Sequence, residues 1–408
     1  MKVVVLTPNY PRKNALMNGH FIHQQIKALI ELGVDCHVIL TYNWFPPFGL
    51  HKYHTYWRQG YAMKQVFFES YEGVPIHHVP VKIKMPSRFF PENAYVREAN
   101  AIINYIRKTK ELQNADWVYA NFLTDSGYIG TIIKKKLGIK LAAIARGDDV
   151  HEWPEKNRNL ILNIQDVYRF SDLLFSNSRN LGEDAKKWFP KGFSREVIPI
   201  YNGINTQVFK PIHDDNIKRL LRKEIKIEFD EKIILCVATP VKEKGWLDLF
   251  DAVSTIRELF SGWKIVAITP PRFNNLNLNI EANNRDIGQF FFWLGSVAPK
   301  DMPKAYQIAE IFVLPSHNEG ISNALLEALA SGIPVITTAV GGHGEILANN
   351  LNALVIKPGD VNQLANALKQ LIINEELRNK FVKNSADVVN MIGSYRDNAL
   401  RLYNLLKA

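Results

Sequence analysis

Short apolar runs and amphipathic helical stretches alternate twice along this chain, and that alternation limits the folds open to it. "KVVVLTP" and "CHVILTY" read as strands, and "GHFIHQQIKALIELG" between them reads as a helix. In that helix Phe21, Ile22, Ile26, Leu29 and Ile30 follow the helical period, and Gly33 stops it. "DWVYANF", "LAAIARG", "DLLFSNS" and "EVIPIYNG" extend the series. "KIILCVATP", "WKIVAIT", "QFFFWLG", "IFVLPSH" and "IPVITTA" then repeat it in the second half, between helical stretches such as "GWLDLFDAVSTIRELF". Strand–helix–strand alternation of this kind predicts parallel sheets with helices on both faces. At 408 residues the chain exceeds what one core usually supports. Two doubly wound α/β domains in tandem are therefore expected.

The Asn, Gly and Pro cluster in "YNGINTQVFKP" marks the boundary between them. A first domain is expected over 1–203 and a second over 204–385. Residues 386–408, ending in the amphipathic "SYRDNALRLYNLLKA", are expected to return to the first domain. Doubly wound sheets bind ligands outside the carboxyl ends of their strands, so a cleft between two facing domains is the expected active site.

Charge narrows the partners. Residues 1–200 carry 27 Lys/Arg against 18 Asp/Glu, whereas 201–408 carry 23 against 22. A basic first half suits an anionic partner: nucleic acid, an acidic membrane surface or a phosphorylated substrate. No nucleic-acid motif accompanies it. No run approaches the length of a membrane span. The opening "MKVVVLTPNYP" has too short an apolar run for a secretory signal, which points to a first strand and a cytoplasmic protein. Cys36 and Cys236 lie in strand-like runs in opposite halves and read as reduced core thiols.

The stretch that carries chemistry is "LPSHNEGISNALLEALASGIPVIT". A strand ends at Pro315, Ser322 or Asn323 caps a helix, and Gly332 with Pro334 ends it. Glu319 falls in the loop before that helix and Glu327, eight residues on, inside it. The backbone N–H groups of Ile321 to Ala324, with the helix dipole, form an anion site. A carboxylate beside it suits a hydroxyl partner rather than a phosphate. A nucleotide sugar supplies both: a diphosphate for the helix start and hydroxyls for the glutamates. The plainer alternative is a loop glutamate and a solvent-facing helical one.

These residues resemble the retaining nucleotide-sugar glycosyltransferases of family four (glycosyl transferases group 1). The resemblance rests on Glu319-Gly320, Glu327-Ala328, "ASGIPVI", "AVGGHGEIL", "NALVIKPGDVNQLANAL" and the upstream "WLGSVAPKDMPKAYQIAEIFVLPS". It spans about residues 230–375 and is looser over the first half. It implies the GT-B fold, two Rossmann-like domains facing across a cleft with a C-terminal helix packing back on the first. It implies transfer of a sugar from a nucleotide-diphosphate sugar with retention of configuration, without metal or other cofactor. By the same resemblance Glu319 contacts donor-sugar hydroxyls and Glu327 the ribose. Gly320, Ile321, Ser322 and Asn323 approach the sugar and diphosphate, and Trp293, Leu294 and Gly295 line the base pocket. Gly19 resembles the family's first glycine loop, and the flanking His20 and His23 read either as acceptor-facing or as structural.

Two departures stand out. In "ATPVKEKG" Lys244 and Gly245 match the family, but Thr239 occupies the position of an arginine, with Lys242 as a possible substitute. In "ARGDDVHEW" Arg146 replaces a histidine. Either Arg146 restores the missing positive charge across the cleft, or it pairs with Asp148 or Asp149. "GDDV" is not the Asp-x-Asp of metal-using transferases, so no metal site is expected. "VIPIYNGINTQVFKP", with Asn202, Gly203, Asn205 and Phe209 in the family register, reads as a hinge.

On the acceptor side, "WFPPFGLHKYHTYWRQGY" holds seven aromatics: Trp44, Phe45, Phe48, Tyr53, Tyr56, Trp57 and Tyr61. With its basic residues it suits a membrane interface or sugar stacking, or else a self-packed loop. Alongside the basic half and Lys134–Lys136 it favours a saccharide or lipid-diphosphate-linked acceptor at an anionic inner membrane face. Within the family the chain loosely resembles bacterial polysaccharide-assembly transferases, including teichuronic-acid-type ones, which implies a surface polysaccharide as the product. The competing functions are a non-catalytic GT-B protein that binds nucleotide sugar, made conceivable by Thr239 and Arg146, and a nucleotide-sugar epimerase.

Overall fold

The computed structural model describes residues 1–47, 49–82, 93–270 and 276–408; Phe48 lies outside them. The chain forms two compact units, Met1–Asn202 with Arg396–Ala408, and Gly203–Tyr395.

The first unit is built on eight strands: β1 Lys2–Leu6, β2 Asp35–Asn43, β3 Ser70–Tyr71, β4 Val74–Val81, β5 Trp117–Asn121, β6 Lys140–Ala145, β7 Leu173–Ser176 and β8 Ile198–Pro199. Their order is β3-β4-β2-β1-β5-β6-β7-β8, and every pairing is parallel except β3 with β4. Val3, Val4 and Val5 of β1 are fully buried on both faces, as are Leu141 to Ala145 of β6. Helices cover both faces of such a sheet, which is why these strands read as continuous apolar runs rather than alternating ones. The hairpin β3–β4 escapes this pattern: its "VPIHHVPV" mixes prolines and histidines and presents no apolar run.

The second unit holds β9 Lys232–Val237, β10 Trp263–Ile268, β11 Phe291–Gly295, β12 Ile311–Leu314, β13 Val335–Thr338 and β14 Leu354–Ile356. Their order is β11-β10-β9-β12-β13-β14, parallel throughout. In each sheet the chain reverses its direction of travel once, beside β1 in the first and between β9 and β12 in the second. Ligands of doubly wound sheets bind outside the carboxyl ends of the strands at this switch.

The last helix, Tyr395–Lys407, belongs to the first unit from Arg396 onward. Leu402 and Leu406 are buried, and the Trp117 indole N–H donates to the Leu406 carbonyl at 3.0 Å. The helix before it, Glu375–Ile392, stays with the second unit. The return therefore begins later than residue 386.

In the aromatic segment, helix Thr55–Gln65 packs on β2 so closely that a Cβ on Gly60 would meet the Asn43 carbonyl at 1.7 Å. Its rings largely satisfy one another: His51 stacks on Tyr61 at 3.9 Å and Phe45 meets Tyr61 edge-on. Tyr53 is the exception, 83% exposed beside exposed Leu50 and Lys52. Among the described residues no helix is long and apolar enough to cross a membrane.

Candidate active site

The loops after β9 and β12, the two strands at the second unit's switch point, are locked together. Gly245, which follows Lys244, adopts φ 71°, and a Cβ there would meet the Pro315 carbonyl at 2.0 Å. Only glycine tolerates both the left-handed backbone and that approach. The His317 N–H donates to the Glu243 carbonyl at 2.8 Å and adds a second stitch. The consequence is an ion pair: Lys244 Nζ lies 2.8 Å from Glu319 Oε1, with side chains 20% and 13% exposed. The Ser316 hydroxyl donates to the same oxygen at 2.9 Å. Burial alone would raise the Glu319 carboxyl, but the Lys244 ammonium, His343 and these hydrogen bonds together hold it below its ordinary value.

Behind this loop runs a second one. Gly341, at φ 48°, would place a Cβ 1.9 Å from the Glu319 carbonyl. The close approach lets His343, fully buried, reach under the loop. The Ser322 N–H donates to His343 Nε2 at 3.3 Å, and His343 Nδ1 lies 3.2 Å from the Thr337 hydroxyl. That hydroxyl donates to the Leu314 carbonyl, which leaves it to accept from Nδ1–H and fixes the Nδ1–H tautomer. One expected anion-binding donor, the Ser322 amide, is therefore held by an imidazole in this state. Sequence reading passed over His343; a histidine between paired glycines in "GGHGE" was the available signal.

Ser322 is the N-cap of helix Asn323–Ala330, without a side-chain cap bond. The first-turn amides of that helix follow directly on Glu319, Gly320 and Ile321. Glu327, one turn in, is only 9% exposed, which rules out a solvent-facing role. It is close enough to Tyr306 and Tyr395 to interact with them electrostatically, and among the described residues the buried Tyr306 hydroxyl makes no hydrogen bond of good geometry. Burial pushes the Glu327 carboxyl up to about 7, opposed only by the nearby Tyr306 hydroxyl.

Thr239, just past β9, accepts the Trp246 indole N–H through its carbonyl, while its own buried hydroxyl has no partner among the described residues. Trp293, Leu294 and Gly295 end edge strand β11, and the Trp293 ring stacks on Phe291 at 5.2 Å and packs against Phe250 and Trp246. Lys242 is exposed. Among the described residues no cluster of His, Cys, Asp and Glu could hold a metal ion.

In the first unit the candidates are placed differently. Gly19 caps helix His20–Glu31 at φ 63°, where a Cβ would meet the Asn9 carbonyl at 2.2 Å. His23 is fully buried, with Nδ1 2.8 Å from the Tyr10 hydroxyl and Nε2 3.5 Å from Glu72. It cannot face an acceptor as the sequence reading allowed, because no part of it reaches solvent. His20 is partly exposed and contacts Gln24.

Arg146 also departs from both expectations. Only 7% exposed, its guanidinium donates to Asn121 Oδ1 at 3.1 and 2.5 Å, to Asn202 Oδ1 at 2.7 Å and to Gln25 Oε1 at 3.0 Å. Those acceptors are neutral and lie in the same unit, so the charge is neither presented outward nor bonded to an acid. Asp149 instead accepts the backbone N–H groups of Arg146 and Gly147, both at 2.9 Å, and of Leu123 at 2.7 Å. Burial pushes its carboxyl up to about 6 despite those bonds.

With this geometry in place, the sequence relatives can be weighed. Residues 217–388, most of the second unit, match the family model of glycosyl transferases group 1. The chain carries a glycosyl transferases group 1 domain. It is 26% identical over 371 residues, 90% of this chain and 88% of the relative, to the putative teichuronic acid biosynthesis glycosyltransferase TuaC of Bacillus subtilis (strain 168). A GDP-mannose-dependent alpha-(1-6)-phosphatidylinositol monomannoside mannosyltransferase of Mycobacterium tuberculosis is 27% identical over 46% of this chain and 49% of its own. Among solved structures, sucrose-phosphate synthase from Thermosynechococcus elongatus superposes with a TM-score of 0.79 at 16% identity, covering 100% of this chain and 98% of its own. Anabaena Alr3699/HepE in complex with UDP gives 0.74 at 15% identity, with both chains covered in full. These likenesses establish the fold: two Rossmann-like α/β units, the GT-B class.

Proposed function

We propose that this protein is a retaining, metal-independent glycosyltransferase of family four that moves a sugar from a nucleotide-diphosphate sugar to a growing or lipid-linked surface polysaccharide. The observation that carries the reading is the Lys244–Glu319 pair at the mouth of helix Asn323–Ala330. Breaking a glycosyl–phosphate bond leaves a nucleoside diphosphate whose added charge needs preorganised cations and N–H donors. Lys244 and the first-turn amides supply them within one unit, and the Thr239 hydroxyl, without a partner among the described residues, adds an O–H donor. A diphosphate approaching Lys244 competes with Glu319 for the ammonium and frees that carboxylate for a sugar hydroxyl. Glu327, deeper in the helix, suits the ribose, and Trp293 to Gly295 the base. With retention, the acceptor attacks from the leaving-group face and a diphosphate oxygen takes its proton, so neither glutamate need act as a nucleophile.

The polysaccharide acceptor draws support from the description of the TuaC relative, and a lipid-linked one from that of the mannosyltransferase. Exposed Tyr53, Leu50 and Lys52 on a basic unit suit peripheral contact with an anionic membrane from the cytoplasmic side. The sequestered Arg146 and the substituted Thr239 favour one competing reading, a protein that binds nucleotide sugar without transferring it. A panel of nucleotide sugars, read as nucleoside diphosphate release with and without a membrane-lipid fraction, separates the two. Release stimulated by the lipid fraction is expected. Tight binding with no release from any donor would sink the transferase reading.

A further inference from the structure

Beneath the candidate donor loop lies a buried imidazole that the donor contacts above do not use. His343 opens the short turn His343–Ile346 that follows β13, and none of it reaches solvent. Both ring nitrogens are engaged: Nδ1–H donates to the Thr337 hydroxyl at 3.2 Å, and Nε2 accepts the Ser322 N–H at 3.3 Å. A side chain that only filled this space would need no acceptor aimed at the loop.

The loop from Ser316 to Ser322 is pinned unevenly. The Gly342 N–H donates to the Gly320 carbonyl at 2.5 Å, Gly341 packs against the Glu319 carbonyl, and the Ser316 hydroxyl reaches Glu319 Oε1 at 2.9 Å. Its exit into helix Asn323–Ala330 is held by the longest of these hydrogen bonds, Ser322 to His343. The same N–H is one of the donors that a diphosphate at the helix start would use. The imidazole lone pair therefore satisfies this amide until an anion competes for it.

Losing the amide changes what the ring faces. Nε2 is left as a buried acceptor without a donor, a costly state that a proton relieves. Burial holds the free ring below its ordinary value; Glu319, from the loop after β12, pulls the other way, and Lys244, from the loop after β9, adds to the burial effect. Glu345 lies two residues along the same turn, and the other neighbours, Thr337, Thr338 and Ser322, are uncharged. A diphosphate reverses that balance. It takes the Lys244 ammonium as its own partner, leaves the Glu319 carboxylate uncompensated, and brings negative charge to the helix start. Each of these changes favours the imidazolium.

We propose that His343 is a positioning residue that holds the Ser322 amide in the resting donor site and takes up a proton when a diphosphate claims that amide. The inference rests on reading this helix start as a diphosphate site, and not on sugar transfer itself. Donor binding then draws in up to about one proton, and affinity strengthens as pH falls.

The test uses the full chain with 15N-labelled histidine and a panel of nucleotide-diphosphate sugars carrying uracil, guanine, thymine or adenine. Their phosphates are diesters and do not titrate near neutrality, so any proton taken up belongs to the protein. At about pH 7 the His343 ring, assigned by through-bond transfer, should be neutral and protonated at Nδ1 in the free chain. A saturating donor should convert it to the imidazolium pattern. In His343→Gln the side-chain carbonyl can still accept the Ser322 N–H but cannot take the proton. Parent affinity relative to this variant should rise about three- to tenfold as pH is lowered from about 8 to about 6. Comparing the two at each pH removes Glu327 and every other titration they share, and a melting curve checks that the variant is folded. Should the variant melt early, the imidazole spectrum of the parent decides alone. A free ring protonated at Nε2, a ring that stays neutral with donor bound, or equal pH dependence in parent and folded variant would overturn the proposal while leaving the donor site standing. No binding by any donor in the panel would defeat the donor site and this inference together.

Discussion

The two units hold a cation at the end of their sheets in opposite ways. In the first, Arg146 is held by neutral amide oxygens, while nearby Asp149 is occupied with backbone N–H groups. In the second, Lys244 is bonded directly to the carboxylate of Glu319. A guanidinium whose Nε and both Nη groups already bond neutral acceptors has little left to offer a ligand; its work is to tie β5, β6, helix His20–Glu31 and Asn202 together. An ammonium balanced by one carboxylate can exchange that partner for a phosphate at modest cost. Lys244 keeps the family's residue and Arg146 replaces its histidine, and one cation is built for substitution and the other for stability.

The largest effect expected from this contrast is on folding. Arg146→Met strands buried acceptors on Asn121, Asn202 and Gln25, each worth about 1–3 kcal/mol when unsatisfied. A loss of about 3–5 kcal/mol in denaturant unfolding is expected, comparable to breaking a buried pair, with hydrogen exchange rising first around β5 and β6. Near-normal stability with abolished turnover would return Arg146 to the chemistry and collapse the contrast.

Turnover should answer to the other cation. Lys244→Ala is expected to lower nucleoside diphosphate release by about 10²–10³, the usual result of removing one preorganised charge-stabilising group. Glu319→Gln should lose a similar factor while retaining nucleotide affinity, measured by calorimetry. Equal losses in Lys244→Ala and in a folded Arg146→Met would show that both cations act on the leaving group.

Much of this was legible beforehand, for physical reasons. Buried parallel strands force continuous apolar runs, and the cap and stop residues of helix Asn323–Ala330 are local chemistry, so both could be read directly. The hairpin β3–β4 could not, because edge position tolerates prolines and removes the apolar signature. Side-chain partners were beyond reach where they are distant in sequence: Lys244 meets Glu319 across 75 residues, and Arg146 meets Gln25 across 121. Motif matching therefore left Arg146 open between a ligand-directed charge and a pair with Asp148 or Asp149, whereas its guanidinium partners are neutral amides. Gly245 was matched as a motif letter, but its reason lies in the Pro315 carbonyl. Gly245→Ala should accordingly cost about 2 kcal/mol or more in stability from its left-handed backbone and that clash. It should also weaken nucleotide binding, since it unlocks the loop that aims Lys244; unchanged binding would detach the loop from the site.

The smallest effect is the most discriminating, because the two regions should respond to pH with opposite sign. The Asp149 carboxyl rises from 3.8 when free to about 6 in the folded chain, so folding favours its protonated form. Its contribution is fully present below the unfolded value and is lost as pH rises through about 6. Glu319 is held below its ordinary value, so its contribution is present above 4.5 and is lost as pH falls through the lower, folded value. The stability of the parent chain relative to Asp149→Asn should thus decline by about 2 kcal/mol as pH is raised from about 4.5 to about 6.5. Relative to Glu319→Gln it should fall as the pH is lowered below about 4.5. Taking differences at each pH removes every titration the parent and variant share, so urea unfolding at a few pH values suffices. A parent–Asp149→Asn difference that instead grows with pH would mean Asp149 is an ionised counter-charge to Arg146. The two cations would then be paired alike, and only exposure would distinguish the one that meets substrate.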